Sequence, residues 1–522
     1  MDISSKAHKV LGLGQVLKSR SILQITALLV TVVFMRWVVR GIYRVYFHPL
    51  SRFPGPKFSA FTRIPHIFAI FNGSLHTYVA RLHDQYGDIV RISPDELSFL
   101  NPQAWRDIYS HGSKTNEGTV PPKYLLRYVK DPSGTPSILN TPDNTEHSRL
   151  RKIFFPAFSE RALTQQEPLF TKYVDQLVKV LKAGIAKSNN EGEEASFDMV
   201  RLYNFTTFDI MGDLTFGESL HMLTGAEYDP WVREVFDFIK TAVISNAFEA
   251  HYPLVITLVK PLLAKAFGDL QDRHYSFSET RVTKRLTMGR ESAGVDLWDL
   301  VMGQEDKGKP LLSRDQMNTH ANMFMLAGTE TTSTLLSGLT YLLLDKPECM
   351  AKLVKEIRGT FKEDGEISMQ AAAKLPYLKA CISEALRMYP PVPNGMPHLT
   401  PRDGSTVCGE FVPAKTIVSV PQFAICISPK LFKDPLSFVP ERWTGDARFA
   451  ADDRSASQPF SIGPRDCLGK NMAYHEIRLV LTKVLWNFDL ELSEENKGWL
   501  EQQVFVLWQK TPLMVKVKVA RR

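Results

Sequence analysis

Phe460-Ser-Ile-Gly463-Pro-Arg465-Asp-Cys467-Leu-Gly469 places one cysteine in a tight loop between glycines, directly ahead of a helical pattern from Asn471 to Leu481. Glycine adds no side-chain bulk and tolerates positive φ, so backbone at Gly463 and Gly469 can approach a flat ligand closely. Cys467 stands at a helix N-terminus, whose unpaired N–H groups and dipole favour a thiolate. A thiolate held in that way is a ligand for soft or borderline metals. Arg465, two residues away, supplies a fixed positive charge for an anionic group. An arbitrary cysteine near glycines is a buried structural thiol. Here the full spacing F-x-x-G-x-R-x-C-x-G is present, followed by Ala473 and Glu476, and it points to metal ligation.

Haem iron is the case in which a single cysteine suffices. The stretch from Phe460 to Gly469 resembles the haem-binding loop of the cytochrome P-450 (haem-thiolate monooxygenase) family. The resemblance makes Cys467 the axial ligand of the iron, sets Phe460 and Gly463 against the haem, and turns Arg465 toward a propionate.

Composition agrees with a large packed body. The chain has 522 residues, 44% hydrophobic and 23% charged, which argues for a globular core rather than disorder. Its five cysteines are odd in number and lack paired spacing or a C-x-x-C, arguing against a disulfide scaffold and a structural zinc site. The formal net charge of +7 is diffuse, and no long basic run suggests nucleic-acid binding.

Outward toward the N-terminus, Ser21 to Val39 is apolar apart from Arg36 and is long enough for a membrane helix if Arg36 snorkels. No small-residue cleavage site follows, so an uncleaved anchor is preferred to a signal peptide. Lys6, Lys9, Lys18 and Arg20 precede the span and Arg36, Arg40, Arg44, Arg52 and Lys57 follow it, a charge count that slightly favours a cytosolic body. His48-Pro-Leu-Ser-Arg-Phe-Pro-Gly-Pro56 cannot be helical and reads as a stiff hinge, similar to that of membrane-bound fungal members of the family. The expected division is an N-terminal tail (1–20), a transmembrane anchor (21–40), a proline-rich hinge (41–57) and a haem-binding monooxygenase domain (58–522).

From Leu75 to Thr400 the pattern is mostly helical. Val174, Leu177, Val178, Leu181 and Ile185 form an amphipathic stripe that ends in the polar stretch Lys187 to Glu194. Loops are marked at Gly289 to Gly294 and Gly303 to Pro310. Strand signals are local, at Ile89–Ile92, Thr416–Val420 and Met514–Val519. The fold class is therefore mainly α with small β-sheets in one large domain, and the resemblance names it as the haem-thiolate monooxygenase fold behind an N-terminal transmembrane helix.

Three further constellations carry chemistry. His147 and Arg151 lie at i, i+4 on one helix face, locally a solvated basic face. The resemblance turns that pair toward a haem propionate, with His147 standing where relatives often have tryptophan. Asn322 to Thr332 lies in a long helix starting near Ser313, with a capping box to Gln316, and stopping before Pro347. At 1.5 Å per residue, about 30 residues span roughly 45 Å, enough to cross a whole domain. Gly328 followed by Thr331 and Thr332 suits a straight helix poorly, and the Thr331 hydroxyl can bond back to Ala327, locally opening a groove. Close helix packing through small residues is the competing reading. The run resembles the family's oxygen-activation motif, which makes Glu330 and Thr331 the proton-delivery pair. Last, Glu384-x-x-Arg387 with Arg442 in Pro-Glu-Arg resembles the family's Glu-Arg-Arg network, assigned to folding and haem retention. His398 stands where many relatives carry an arginine directed to a propionate.

The resemblance covers nearly the whole chain from about residue 45. It implies haem b, dioxygen, and electrons from NADPH through a separate flavoprotein reductase, since no nucleotide-binding fingerprint is present. The substrate expected is a lipophilic small molecule, held by Lys114–Leu139, Phe238–Val259, Met323–Thr331, Val392–Pro397 and Val504–Leu507, segments rich in Phe, Met, Val and Leu. The overall pattern looks like fungal secondary-metabolism members that oxidise terpenoids or polyketides, such as isotrichodermin or averantin hydroxylases. Location is expected to be a single-pass membrane protein of the endoplasmic reticulum with its catalytic domain cytosolic. A haem-thiolate isomerase or dehydratase, and a non-catalytic haem carrier or sensor, are the alternatives.

Overall fold

The helix Arg314–Asp345 is the axis of the structure, a computed structural model. Described are residues 3–110, 120–128, 133–188, 194–252, 257, 273, 276–287, 295–303 and 311–521, with side chains from residue 24 onward except 235–237 and 250. The expected loops at 189–193, 289–294 and 304–310, and the pocket positions 114–119, 129–132, 253–256 and 258–259, lie outside them.

Ser313 caps the long helix by accepting from Gln316 N, and the Gln316 side chain accepts from Ser313 N. It is apolar or small nearly all round, so neighbours bury it on most sides. Its closest companion is the helix Met199–Phe216, itself almost wholly buried. Gly328 explains the close approach: a Cβ there would lie 2.7 Å from Met211 Sδ and 2.9 Å from its Cε. Helical conformation runs unbroken across Gly328 to Thr332, so the expected local opening is not found. Small residues here serve packing, and the Thr331 hydroxyl is absorbed by a 2.6 Å bond to Ala327 O. The stripe Val174 to Ile185 is buried as its spacing requires, within the helix Glu160–Ala186.

Strands form small sheets at the periphery. Ile89–Ser93 pairs antiparallel with Glu96–Phe99, which pairs parallel with Ile417–Ser419, and His398–Leu399 closes that sheet. Met514–Val519 is the centre of a second sheet between Glu194–Asp198 and Phe488–Leu492. A short hairpin, Val504–Phe505 with Leu507–Trp508, precedes it.

The N-terminal helix is one element from Ile3 to Tyr46, so helix covers most of the segment read as a tail and the first residues of the segment read as hinge. Its Gln24–Tyr46 stretch is long and apolar enough to cross a membrane. Proline first acts at Pro49, where a 3-10 turn begins. The last turns rest on the body: Trp37 meets Phe61 edge-on at 4.8 Å, Arg91 donates to Arg44 O at 2.8 Å, and Leu50 is fully buried.

Candidate active site

The cysteine loop is closed by its own backbone. Cys467 N donates to Phe460 O at 2.9 Å, and Gly463 sits at φ +81°, where any Cβ would collide with the Tyr109 carbonyl. Gly469, at φ −86°, needs no such freedom and instead leads into the helix Lys470–Asn487. Phe158 bridges this loop to the long helix, lying against Gly469 and packing on Phe324 at 5.4 Å.

Cys467 is accessible, although its loop leads into a helix otherwise set in the core. Ala327 is accessible too, in the middle of the buried long helix, and Thr331 beside it is half-buried. Met323, Leu326, Phe460 and Leu468 are partly buried apolar side chains packed against the same core. Cys467 keeps accessible surface, yet the protein atoms packed round its sulfur desolvate it and push the thiol above its ordinary value, opposed by a backbone N–H bond from Gly469 and by the charges of Arg151 and Lys470. The helix N-terminus alone therefore does not make a thiolate; a coordinated metal, which deprotonates a thiol outright, would.

Lys123, His147, His398 and Arg465 gather within electrostatic reach of one another. Lys123 Nζ donates to Leu139 O at 2.7 Å, and His398 Nδ1 meets Pro121 O at 2.7 Å. Burial, then the Arg465 charge, pushes Lys123 down to about 7. Burial, then Lys123, holds His398 down at about 3. Burial, then Arg465 and Lys123, brings His147 to about 4. Among the described residues, Lys123, His147 and His398 have no carboxylate partner within ion-pair distance. Tyr128 adds a buried hydroxyl without a hydrogen-bond partner among the described residues. Three buried bases that lack a carboxylate partner among the described residues, set beside the Arg465 guanidinium, suit a ligand bearing carboxylates.

The donor set therefore fits haem b: one accessible cysteine, an apolar wall, and a basic edge whose N–H groups suit propionates. Arg465 contributes while bonded to Asn144 Oδ1 at 2.9 Å and Thr141 O at 2.9 Å. Arg151 is directed elsewhere, to Asp466 O at 2.9 Å and Asp466 Oδ1 at 2.5 Å, so it ties its helix to the cysteine loop. Lys123 escaped the sequence reading; the rigid Pro121-Pro122 before it, which fixes an extended backbone, was its one available signal.

Glu330 and Thr331 are adjacent in sequence but face apart, as a helix requires of neighbours. Glu330 is buried against Lys510 with Oε2 2.7 Å from Nζ, and no hydrogen bond joins it to Thr331 among the described residues. The Glu384 network is closed and fully buried. Arg387 donates to both Glu384 oxygens (2.8 and 2.9 Å) and to the carbonyls of Cys426, Pro435 and Ser437. Arg442 donates to Glu384 Oε1 at 3.3 Å and pairs with Asp452. Trp443 Nε1 and Val439 N complete it, at 2.8 and 3.1 Å. Asp452 and Trp443 come from tertiary structure alone.

A family model described as Cytochrome P450 matches residues 54–517. The cytochrome P450 monooxygenase FUM2 of Gibberella moniliformis (strain M3125 / FGSC 7600) is 44% identical over 487 residues, covering 92% of this chain and 100% of its own. Cytochrome P450 monooxygenase efuB of Hormonema carpetanum is 45% identical, covering 93% of this chain and 94% of its own. Averantin hydroxylase of Dothistroma septosporum (strain NZE10 / CBS 128990) is 41% identical, covering 91% of this chain and 88% of its own. The crystal structure of the cytochrome P450DA heme domain superposes with a TM-score of 0.72 over 90% of this chain and 97% of that one, at 18% identity.

Proposed function

The chain belongs to the cytochrome P450 family of haem-dependent monooxygenases, and from that premise we propose that it inserts one atom of O2 into a lipophilic terpenoid or polyketide intermediate of fungal secondary metabolism. The observation that carries the reading is the pairing of an accessible cysteine with buried basic side chains that, among the described residues, have no carboxylate partner. Hydroxylation is the favoured outcome, with averantin hydroxylase among the similar proteins.

Haem b, when bound, supplies the oxygen chemistry, with electrons from a separate reductase. Cys467, held by the Phe460 carbonyl contact and the turn at Gly463, would supply the thiolate that binds its iron. Lys123, His147, His398 and Arg465 would orient it by its carboxylates. The Thr331 hydroxyl donates to Ala327 O, which leaves its oxygen lone pairs to accept from a water and position it for proton delivery. Glu330 is its partner in proton delivery, through intervening water. Glu384, Arg387 and Arg442 keep the scaffold under the cysteine loop rigid. Met323, Leu326 and the Val504–Leu507 hairpin offer apolar contact to the substrate.

In the cell, Gln24–Tyr46 would span the endoplasmic reticulum membrane once, with the body cytosolic and an NADPH-dependent flavoprotein as the reductase. The test is incubation of the full chain with NADPH, reductase and candidate polyketide and terpenoid precursors, products being identified by mass. A gain of one oxygen, absent for Cys467→Ala together with the red-shifted Soret band of the ferrous–CO complex, is expected. Persistence of that band in Cys467→Ala would overturn the ligand assignment.

A further inference from the structure

Lys510 lies two residues beyond the C-terminal hairpin and reaches the long helix at the acid of the proton-delivery pair. Its ammonium has three protons and three acceptors: Glu330 Oε2 at 2.7 Å, Thr334 Oγ1 at 2.8 Å and Ser333 Oγ at 3.4 Å. Both charged side chains are almost wholly buried, at 4% for Lys510 and 2% for Glu330. Glu330 is thereby divided. Oε2 is fixed by the lysine, while Oε1 is buried and has no hydrogen-bond partner among the described residues. The other titratable side chains in electrostatic reach, Tyr228 and Tyr389, are phenols raised by burial and further by Glu330 itself, so neither can replace the lysine as counter-ion.

We propose that Lys510 is a positioning residue for oxygen activation: it holds Glu330 through Oε2, as a carboxylate, and leaves Oε1 as the one oxygen open to exchange a proton. A buried carboxylate without a cation takes up a proton or rearranges, because an uncompensated interior charge is strongly unfavourable. Removing the ammonium therefore alters the charge and the orientation of Glu330 together. A planar guanidinium at the same place restores the charge but not the contacts to Ser333 and Thr334. This rests on the monooxygenase reading above, and the test separates the two.

Lys510→Met, Lys510→Arg, Glu330→Gln and the double variant Lys510→Met/Glu330→Gln are compared as full-length holoenzymes. In Lys510→Met, product per NADPH falls by about tenfold, the scale of one charge-assisted hydrogen bond, with the electrons appearing as hydrogen peroxide. Haem content and the ferrous–CO Soret band stay as in the wild type, and Lys510→Arg recovers most of the loss. Infrared difference spectra show a protonated carboxylic acid in Lys510→Met that is missing from the double variant. If Lys510 acts through Glu330, the double variant couples no worse than Glu330→Gln. The same comparison serves if Lys510→Met fails to fold, since the double variant buries no lone charge. Wild-type coupling in Lys510→Met, or a further loss in the double variant, overturns the proposal and leaves Lys510 a brace. A wild type that yields no product with NADPH and reductase would fail the functional reading instead; the infrared comparison would still decide whether Lys510 keeps Glu330 ionised.

Discussion

Replacing Glu384 by glutamine changes one atom in a site with no room to adapt. Glu384 Oε1 accepts from Arg387 Nη2, Val439 N and Arg442 Nε, and Oε2 accepts from Arg387 Nε and Trp443 Nε1. Every donor is an N–H. Whichever way the glutamine amide is turned, its NH2 faces at least two of them, and two arginines lose their shared anion. Glu384, Arg387 and Arg442 are fully buried, so solvent cannot compensate. Breaking a buried charge network typically costs about 3–5 kcal/mol, a large part of the ~5–15 kcal/mol that holds a domain together. The expected result is little holoprotein, with haem retention in urea lost at a much lower concentration than in the wild type. Lys352→Ala is the control, because Lys352 meets Glu441 at 2.6 Å but is 57% exposed. Its loss should cost about 0–1 kcal/mol. Full haem content in Glu384→Gln, with stability within about 0.5 kcal/mol of the wild type, would refute the reasoning.

Thr331→Ser should keep most of the product per NADPH while Thr331→Val, the closer isostere, leaks electrons to peroxide; the reverse order would reduce Thr331 to packing. Gly338→Ala should destabilise more than Gly328→Ala, both within about 1–3 kcal/mol, in urea titrations. Gly338 abuts the Tyr389 ring, stacked on Trp508 and bonded to Gln502 at 2.7 Å, whereas Gly328 abuts a flexible thioether that can shift. Glu476 is pushed up to about 8 by burial, against a hydrogen bond with Thr332 that lowers it. The folded state then holds a proton that the unfolded state has released, so stability falls as pH rises from about 4.5 to about 8. Glu476→Gln should flatten that slope, by up to about 1.4 kcal/mol per pH unit; an unchanged slope in a pH series of denaturation midpoints would show that Glu476 is not its source.

Local signals in the chain are strong where backbone geometry leaves few solutions. The loop around Cys467 needs Gly463 because only glycine fits a positive φ against the Tyr109 carbonyl, and that need is visible as spacing. The cap at Ser313 and the stripe from Val174 to Ile185 follow from hydrogen-bond stoichiometry and helical period, and both appear as read. The alternation of Met514–Val519 likewise becomes a strand. Long-range partnership leaves no such trace. Nothing near Lys510 announces Glu330, 180 residues earlier, and nothing in Arg151 distinguishes Asp466 from a propionate. The basic edge is assembled from four separate segments, so Lys123 acquires its meaning only beside His398 and Arg465. Gly328 looked like a place for the helix to open, yet Met211 fills the space and the helix continues. Sequence thus determined the cysteine loop, the helix cap, the buried stripe and the strand, through short-range constraints on backbone and period. Tertiary packing decided which charges face each other, because burial and pairing depend on neighbours that the chain brings together only by folding.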